Sequence, residues 1–364
     1  MENHIEKEQA KSVGKIISVI LGFLVLITFT VVLFSSQSKF KIPDSPSYHQ
    51  APKYKTYSSE LRIQAQDYFK NIQQFDNGNI DENLVALGKE LYFDTQLSKD
   101  GNISCNSCHN LNTFGVDNLP TSPGDLGQFG GRNSPASIYA ATHKMQFWDG
   151  RANDVEEQAG MPILNPIEHN IPSKEFLVNR LKALPNYPEM FRKAFPNEEN
   201  AITYANLTKA IGAFERKLMP VSRFDNWILG DDKALTAKEL VGMQTFIDKG
   251  CVSCHSGISL GGESLQKFGV YGNYWELTKS KNIDKGLFDI TKKPDDLYVF
   301  KVPGLRNIEK TYPYFHDGSV KDLKDAVKIM GKLQLNKELN NDEIENIVAF
   351  LSALTADVDA KYKK

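Results

Sequence analysis

The chain has 364 residues, 41% of them hydrophobic, 4 cysteines and a formal net charge of -2. So even a balance leaves no basic excess to neutralise phosphates, which argues against nucleic acid as a partner. The length is enough for two compact domains.

Residues 1–15 carry Lys7, Lys11 and Lys15 and lead into Ile16–Phe34, an uncharged, almost wholly apolar run of 19 residues. That length is close to a bilayer's thickness, and the lysines hold residues 1–15 on the cytoplasmic side. The run is long for a signal-peptide core, and Ser36-Gln37-Ser38 is a poor cleavage site. A transmembrane anchor retained in the inner membrane is therefore expected in preference to a cleaved signal peptide. Either reading exports the remainder of the chain, to the periplasm. Residues 35–59, rich in Ser, Pro, Lys and Tyr and without helical periodicity, read as a linker.

Helical patterns dominate thereafter. Asp81 can cap a helix with Leu84, Leu87 and Leu91 on one face. Cys105-Asn106-Ser107-Cys108-His109 follows it. Further on, Thr236-Ala237-Lys238-Glu239 is a capping box opening a helix that ends at Gly250, and Cys251-Val252-Ser253-Cys254-His255 comes next. Both segments read C-x-x-C-H, the c-type haem attachment pattern. Two thiols in one tight turn can add to the two vinyl groups of a porphyrin, and the adjacent imidazole then binds iron as proximal ligand. A redox C-x-x-C or half a zinc site is the rival for a single copy. Two copies that use all 4 cysteines leave it little room. Beyond them, Ser319 can cap a helix with Val320, Leu323, Val327 and Met330 along one stripe. Asn341 begins a last helix with Ile344, Val348 and Leu351 apolar. No alternating strand pattern stands out.

The chain looks like a diverged duplication. Each half has a helix, a C-x-x-C-H, an Arg-Asn pair (Arg132-Asn133, Arg306-Asn307) and an aromatic-x-Asp-Gly turn (Phe147-Trp148-Asp149-Gly150, Phe315-His316-Asp317-Gly318). The expected fold is mainly α: two cytochrome c-like haem domains packed together, over residues 60–219 and 220–364, preceded by one N-terminal transmembrane helix.

Gly131-Arg132-Asn133-Ser134-Pro135, Gln146-Phe147-Trp148-Asp149-Gly150-Arg151, Phe300-Lys301-Val302-Pro303-Gly304-Leu305-Arg306-Asn307 and Ala326-Val327-Lys328-Ile329-Met330-Gly331, with the first C-x-x-C-H, carry a family resemblance. The sequence resembles the bacterial di-haem cytochrome c peroxidases, which share a superfamily with the di-haem enzymes that mature a tryptophan-derived quinone. The resemblance covers roughly Leu84 to Leu354. It implies reduction of hydrogen peroxide on the haem of Cys105, Cys108 and His109, in the first domain. Electrons would arrive from a small cytochrome c or a cupredoxin through the haem of Cys251, Cys254 and His255, in the second.

The resemblance also assigns individual residues. Met330 falls where the family has its distal methionine, a thioether that raises the potential of a histidine-ligated haem; the quinone-maturing branch has tyrosine there. Glu168, in Pro162-Ile163-Leu164-Asn165-Pro166-Ile167-Glu168, matches the distal acid that moves a proton while the O–O bond breaks, and Gln158 a polar residue of the same pocket. Trp148 matches the tryptophan between the haems. Asn133, with the carbonyls of Thr311 and Pro313, matches a calcium site of oxygen donors. A homodimer is the common state. One departure stands out. Asp125 occupies the place of a loop histidine that blocks the peroxidatic iron in many members, so that iron is expected to be open at rest; His143, Met161 or His169 could substitute as a sixth ligand, but each reads first as a structural residue. The rival functions are a di-haem oxidase acting on a protein side chain and a membrane-anchored di-haem electron carrier.

Overall fold

The computed structural model describes residues 52–364. The apolar run 16–34 and the linker residues 35–51 lie outside them. No helix among the described residues is long and apolar enough to cross a membrane.

The linker expected to reach Ser59 stops short, because Pro52–Gln66 is a helix. Its buried stripe is Tyr54, Ser58, Leu61 and Ala65. The spacing is helical, but two of the four residues are polar or small, which hides the period from a hydrophobicity reading. The Tyr54 hydroxyl donates to Leu235 O at 2.9 Å. Ser58 Oγ donates to Asp232 and accepts from Trp227 Nε1, both at 2.9 Å. The helix thus precedes the first half of the chain and packs on the second.

In the first half, Asp81 caps Glu82–Phe93 by accepting from the backbone N–H groups of Asn83 and Leu84. Leu87 and Leu91 are buried as the periodicity expects. This helix packs across Tyr204–Glu215, and Val155–Leu164, Lys174–Ala183 and Tyr187–Ala194 enclose a core that includes Tyr92, Leu177, Phe191 and Phe214.

The second half repeats the plan. Ala237–Lys249 opens on the Thr236/Glu239 capping box and ends at Gly250, φ 88°, and it packs on Asn341–Ala353. Leu323–Leu335 starts later than expected, with Asp322 as its cap. Ser319 cannot serve, because Val320 is held extended in a bridge to Tyr314. The absence of strands also needs correcting: Leu265–Lys267 and Val299–Lys301 pair antiparallel, Leu265 opposite Lys301.

A glycine marks the helix crossing in each half. A Cβ on Gly88 would stand 1.8 Å from Ala210 O, and one on Gly242 the same 1.8 Å from Asn346 O. The obstructing atoms are helix backbone and have no rotamer to escape into. Gly88→Ala and Gly242→Ala should each destabilise the protein by about 1–3 kcal/mol through overpacking, against the roughly 1 kcal/mol that alanine gains in helix propensity. Thermal unfolding of the two variants reads this, and an unchanged or raised Tm would mean that the helices separate freely.

Candidate functional site

Each C-x-x-C-H lies on the wall of a cavity. Cys105–Cys108 is a single helical turn, and both thiols and His109 line a space of about 310 Å³. Cys251–Ser253 turns directly after Gly250, and Cys251, Cys254 and His255 line a second space of about 240 Å³. Met330 lies on that same second wall. His109 Nδ1 donates to Pro135 O at 2.9 Å and His255 Nδ1 to Leu260 O at 3.1 Å. Each bond fixes the ring and leaves Nε2 for a metal. Burial pushes the His255 pKa down to about 4, and that of His109 also down, which favours the neutral ring that iron takes.

The cysteines are unpaired. Burial pushes the Cys108 and Cys251 thiols up to about 11, the reverse of the lowered values of redox C-x-x-C pairs. No cluster of three or more His, Cys, Asp or Glu suited to a metal ion occurs among the described residues. Two thiols one turn apart with an imidazole beside them, twice, are the donor set for two covalently attached porphyrins.

The first cavity also holds an acid. Val155–Leu164 is capped by Asp154 and ends at Asn165, with Gln158, Ala159 and Pro162 on the cavity wall. Asn165 then builds the turn that follows. Its Oδ1 accepts from Ile167 N at 3.0 Å, and its Nδ2 donates to Glu168 Oε1 at 2.7 Å. Glu168 is thereby held on the same wall as Cys108 and His109. Burial raises its pKa, opposed by the Asn165 hydrogen bond and by Arg151. Arg151 lines the cavity too, 3.5 Å over the Phe147 ring and 2.8 Å from Asp149.

Asp125 is not among the lining residues. Its carboxylate is spent inside the loop, accepting from Asp100 N at 2.9 Å and Asn102 N at 3.3 Å. Burial alone would raise its pKa, but those N–H groups, Ser98 and the nearby His169 bring it below the ordinary value. Met161 is likewise off the wall. His143 lines both cavities, with Nδ1 3.3 Å from Lys301 Nζ. His169 lines the first, and its Nδ1 donates to Leu97 O at 3.0 Å.

Trp148 is common to the two walls. Its Nε1 donates to Asn133 O at 2.9 Å, and its ring meets His316 edge-on at 6.4 Å. The paired aromatic-x-Asp-Gly turns share a backbone shape, with φ 65° at Phe147 and 70° at Phe315. Asn133, Thr311 and Pro313 all line the second cavity, and Asn133 Nδ2 donates to Leu119 O at 2.8 Å. Sequence reasoning missed three wall residues. Glu215 is a buried acid of the first cavity, pushed up to about 8 by burial. Lys301 lines both cavities and Arg132 the first, Arg132 joining Asp149 at 2.6 Å to Asp284 at 2.7 Å. A lone charge inside the apolar run Val299-Phe300-Lys301-Val302 was the available signal for Lys301.

Two family models match the chain, one described as di-haem cytochrome c peroxidase over residues 82–233 and one as cytochrome c over residues 241–355. The cytochrome c551 peroxidase of Nitrosomonas europaea is 48% identical over 279 residues, 75% of this chain and 80% of that protein. The cytochrome c551 peroxidase of Pseudomonas aeruginosa is 46% identical over 278 residues, 76% of this chain and 80% of that protein. Among solved structures, a MauG-like protein associated with microbial copper homeostasis aligns with a TM-score of 0.70 at 28% identity, over 79% of this chain and 93% of that one.

Proposed function

Since the chain belongs to the di-haem cytochrome c peroxidase family, we propose that it reduces hydrogen peroxide to water with electrons from a small cytochrome c or a cupredoxin. Its cofactors are two haem c groups in two cytochrome c-like domains, here taken as residues 60–219 for peroxide chemistry and 220–364 for electron transfer, with the Pro52–Gln66 helix docked on the second. Cys105, Cys108 and His109 hold one haem. Cys251, Cys254, His255 and Met330 hold the other. Bound there, the haems supply the electrons and the iron at which the O–O bond is cleaved.

The chain's own groups handle protons and position. Glu168 takes the proton from the near oxygen of peroxide and delivers it to the far one, so that the departing group leaves as water. Two further protons come from solvent and complete two waters. Arg151 favours the ionised carboxylate that the first step needs. Gln158 supplies a neutral hydrogen-bonding group to the same space. Trp148, in both walls, shortens the path between the cavities. The supporting observation is this asymmetry: an acid shares one cavity with His109, while a thioether shares the other with His255. Met330, where the side-chain-modifying branch has tyrosine, weighs against that oxidase, and a mere electron carrier has no use for Glu168.

The proposal includes a calcium ion at Asn133 Oδ1 and the carbonyl oxygens of Thr311 and Pro313, hard donors suited to it. It also includes a homodimer in the periplasm, retained on the inner membrane by residues 16–34. Membrane fractionation and light scattering of the solubilised full chain read these.

The test of the open site is spectroscopic. With Asp125 bound into its own loop, the oxidised protein should show one high-spin and one low-spin ferric haem in electron paramagnetic resonance, and cyanide should bind without prior reduction. Two low-spin haems that refuse cyanide would mean that a side chain such as His169 fills the position, and the open-site reading would fall.

A further inference from the structure

We propose that Lys301 binds a haem propionate where the two cavities meet, with His143 as the second contact of its ammonium. The inference rests on the two-haem reading above.

Lys301 ends the Val299–Lys301 strand, and its backbone N–H donates to Trp148 O at 2.7 Å. Side chains alternate along a strand. Phe300 stacks on His316 at 4.4 Å and lines the second cavity alone. Lys301 therefore turns the other way, toward His143, and lies on both cavity walls. It is 3% exposed.

A buried ammonium needs a counter-charge or must give up its proton. Lys301 has neither an ion pair nor a strong acceptor among the described residues. Its hydrogen-bond partner is His143 Nδ1, at 3.3 Å. Asp149, the acid that acts on it electrostatically, is already engaged by Arg132 at 2.6 Å and Arg151 at 2.8 Å. Arg132 also takes Asp284. The two arginines thus take up Asp149 and Asp284, and Lys301 is left with no carboxylate in ion-pair contact.

His143 is no counter-charge, since an imidazole is neutral or positive, but it can accept from the ammonium while neutral. Burial, reinforced by Lys301, pushes its pKa far down and keeps it neutral. The ring lies close against the backbone of two glycines. A Cβ on Gly262 would come within 2.3 Å of its Cδ2, and one on Gly304 within 2.7 Å of its Nε2. With Nδ1 accepting one ammonium N–H of Lys301, the other two remain to donate. A buried ammonium with free N–H groups suits a carboxylate, and the carboxylates that porphyrins carry into these cavities are their propionates. Those of either haem present the same chemistry at the junction.

Two measurements decide it. In a crystal structure of the holoprotein, a propionate oxygen should lie about 3 Å from Lys301 Nζ; none within about 4 Å, the limit of an ion pair, overturns the proposal. In a potentiometric titration followed optically, Lys301→Met should shift the reduction equilibrium of at least one haem tenfold toward the oxidised form, about 59 mV for one electron. Lys301→Arg should hold within about twofold of the parent. The haem that moves is the one whose propionate Lys301 holds. Unchanged midpoints in a Lys301→Met protein with two haems would overturn the proposal. Fewer than two haems in the parent would instead defeat the functional reading. Should Lys301→Met fail to fold, the parent crystal structure still decides.

Discussion

Replacing Glu168 with Gln should lower peroxide turnover by about two to four orders of magnitude, the usual worth of a positioned general acid–base, and should leave two haems per chain. Glutamine keeps an oxygen to accept from Asn165, so the turn after Val155–Leu164 is preserved. What it loses is the ability to carry a proton. The pH profile gives a second readout. Glu168 must be ionised to accept the first proton, and burial holds its pKa above the usual glutamate value despite Asn165 and Arg151. The acid limb of kcat/KM should therefore lie above the ordinary carboxylate range, with activity falling as pH drops through it, and the limb should vanish in Glu168→Gln. Steady-state assays with a reduced donor across pH measure both effects. Turnover within fivefold of the parent, with the limb retained, would remove Glu168 from the mechanism.

On the proposed ligation, Met330→His should convert a thioether–imidazole pair into two imidazoles and lower the potential of the second haem. Axial ligands cover roughly 0.8 V in haem proteins. A quarter of that range, about 0.2 V at about 59 mV per tenfold, costs more than three orders of magnitude in the electron-uptake equilibrium. Turnover with a cytochrome donor should collapse accordingly, while a strongly reducing small-molecule donor should restore it. Met330 also packs with Phe268, Tyr274, Phe300 and Leu333, so a purely packing role is the competing account. A midpoint that stays put while stability falls would favour packing.

The features legible in the sequence were those with a local chemical signature. The two C-x-x-C-H turns, the Asp81 cap and the Thr236/Glu239 box need only neighbours in the chain, and each formed where the residues pointed. The Ser319 helix failed on an arbitration that sequence cannot make. Ser319 and Asp322 are both good caps, and the Tyr314–Val320 bridge decided between them from outside the helix. Pro52–Gln66 escaped because Ser58 is buried for its hydrogen bonds to Asp232 and Trp227 rather than for its apolarity. The cavity walls were the least legible. Glu168 was found only through a family pattern, and the Asn165 amide that aims it is an ordinary turn residue until its 2.7 Å bond is seen. Lys301 draws its meaning from Trp148 and His143, each more than 150 positions away.

The seat of the Pro52–Gln66 helix also bears on how the polypeptide matures. Tyr54 waits for Leu235, 181 positions downstream, and Arg62 for Trp227, 165 downstream. At about 5–20 residues per second of synthesis, the segment emerges roughly ten to forty seconds before its seat exists. Until then the stripe of Tyr54, Leu61 and Ala65 is uncovered and open to chaperones or to mispairing. The helix is made early and docks only after its seat has been synthesised. A chain severed near Met219 would leave this helix stranded on the wrong fragment.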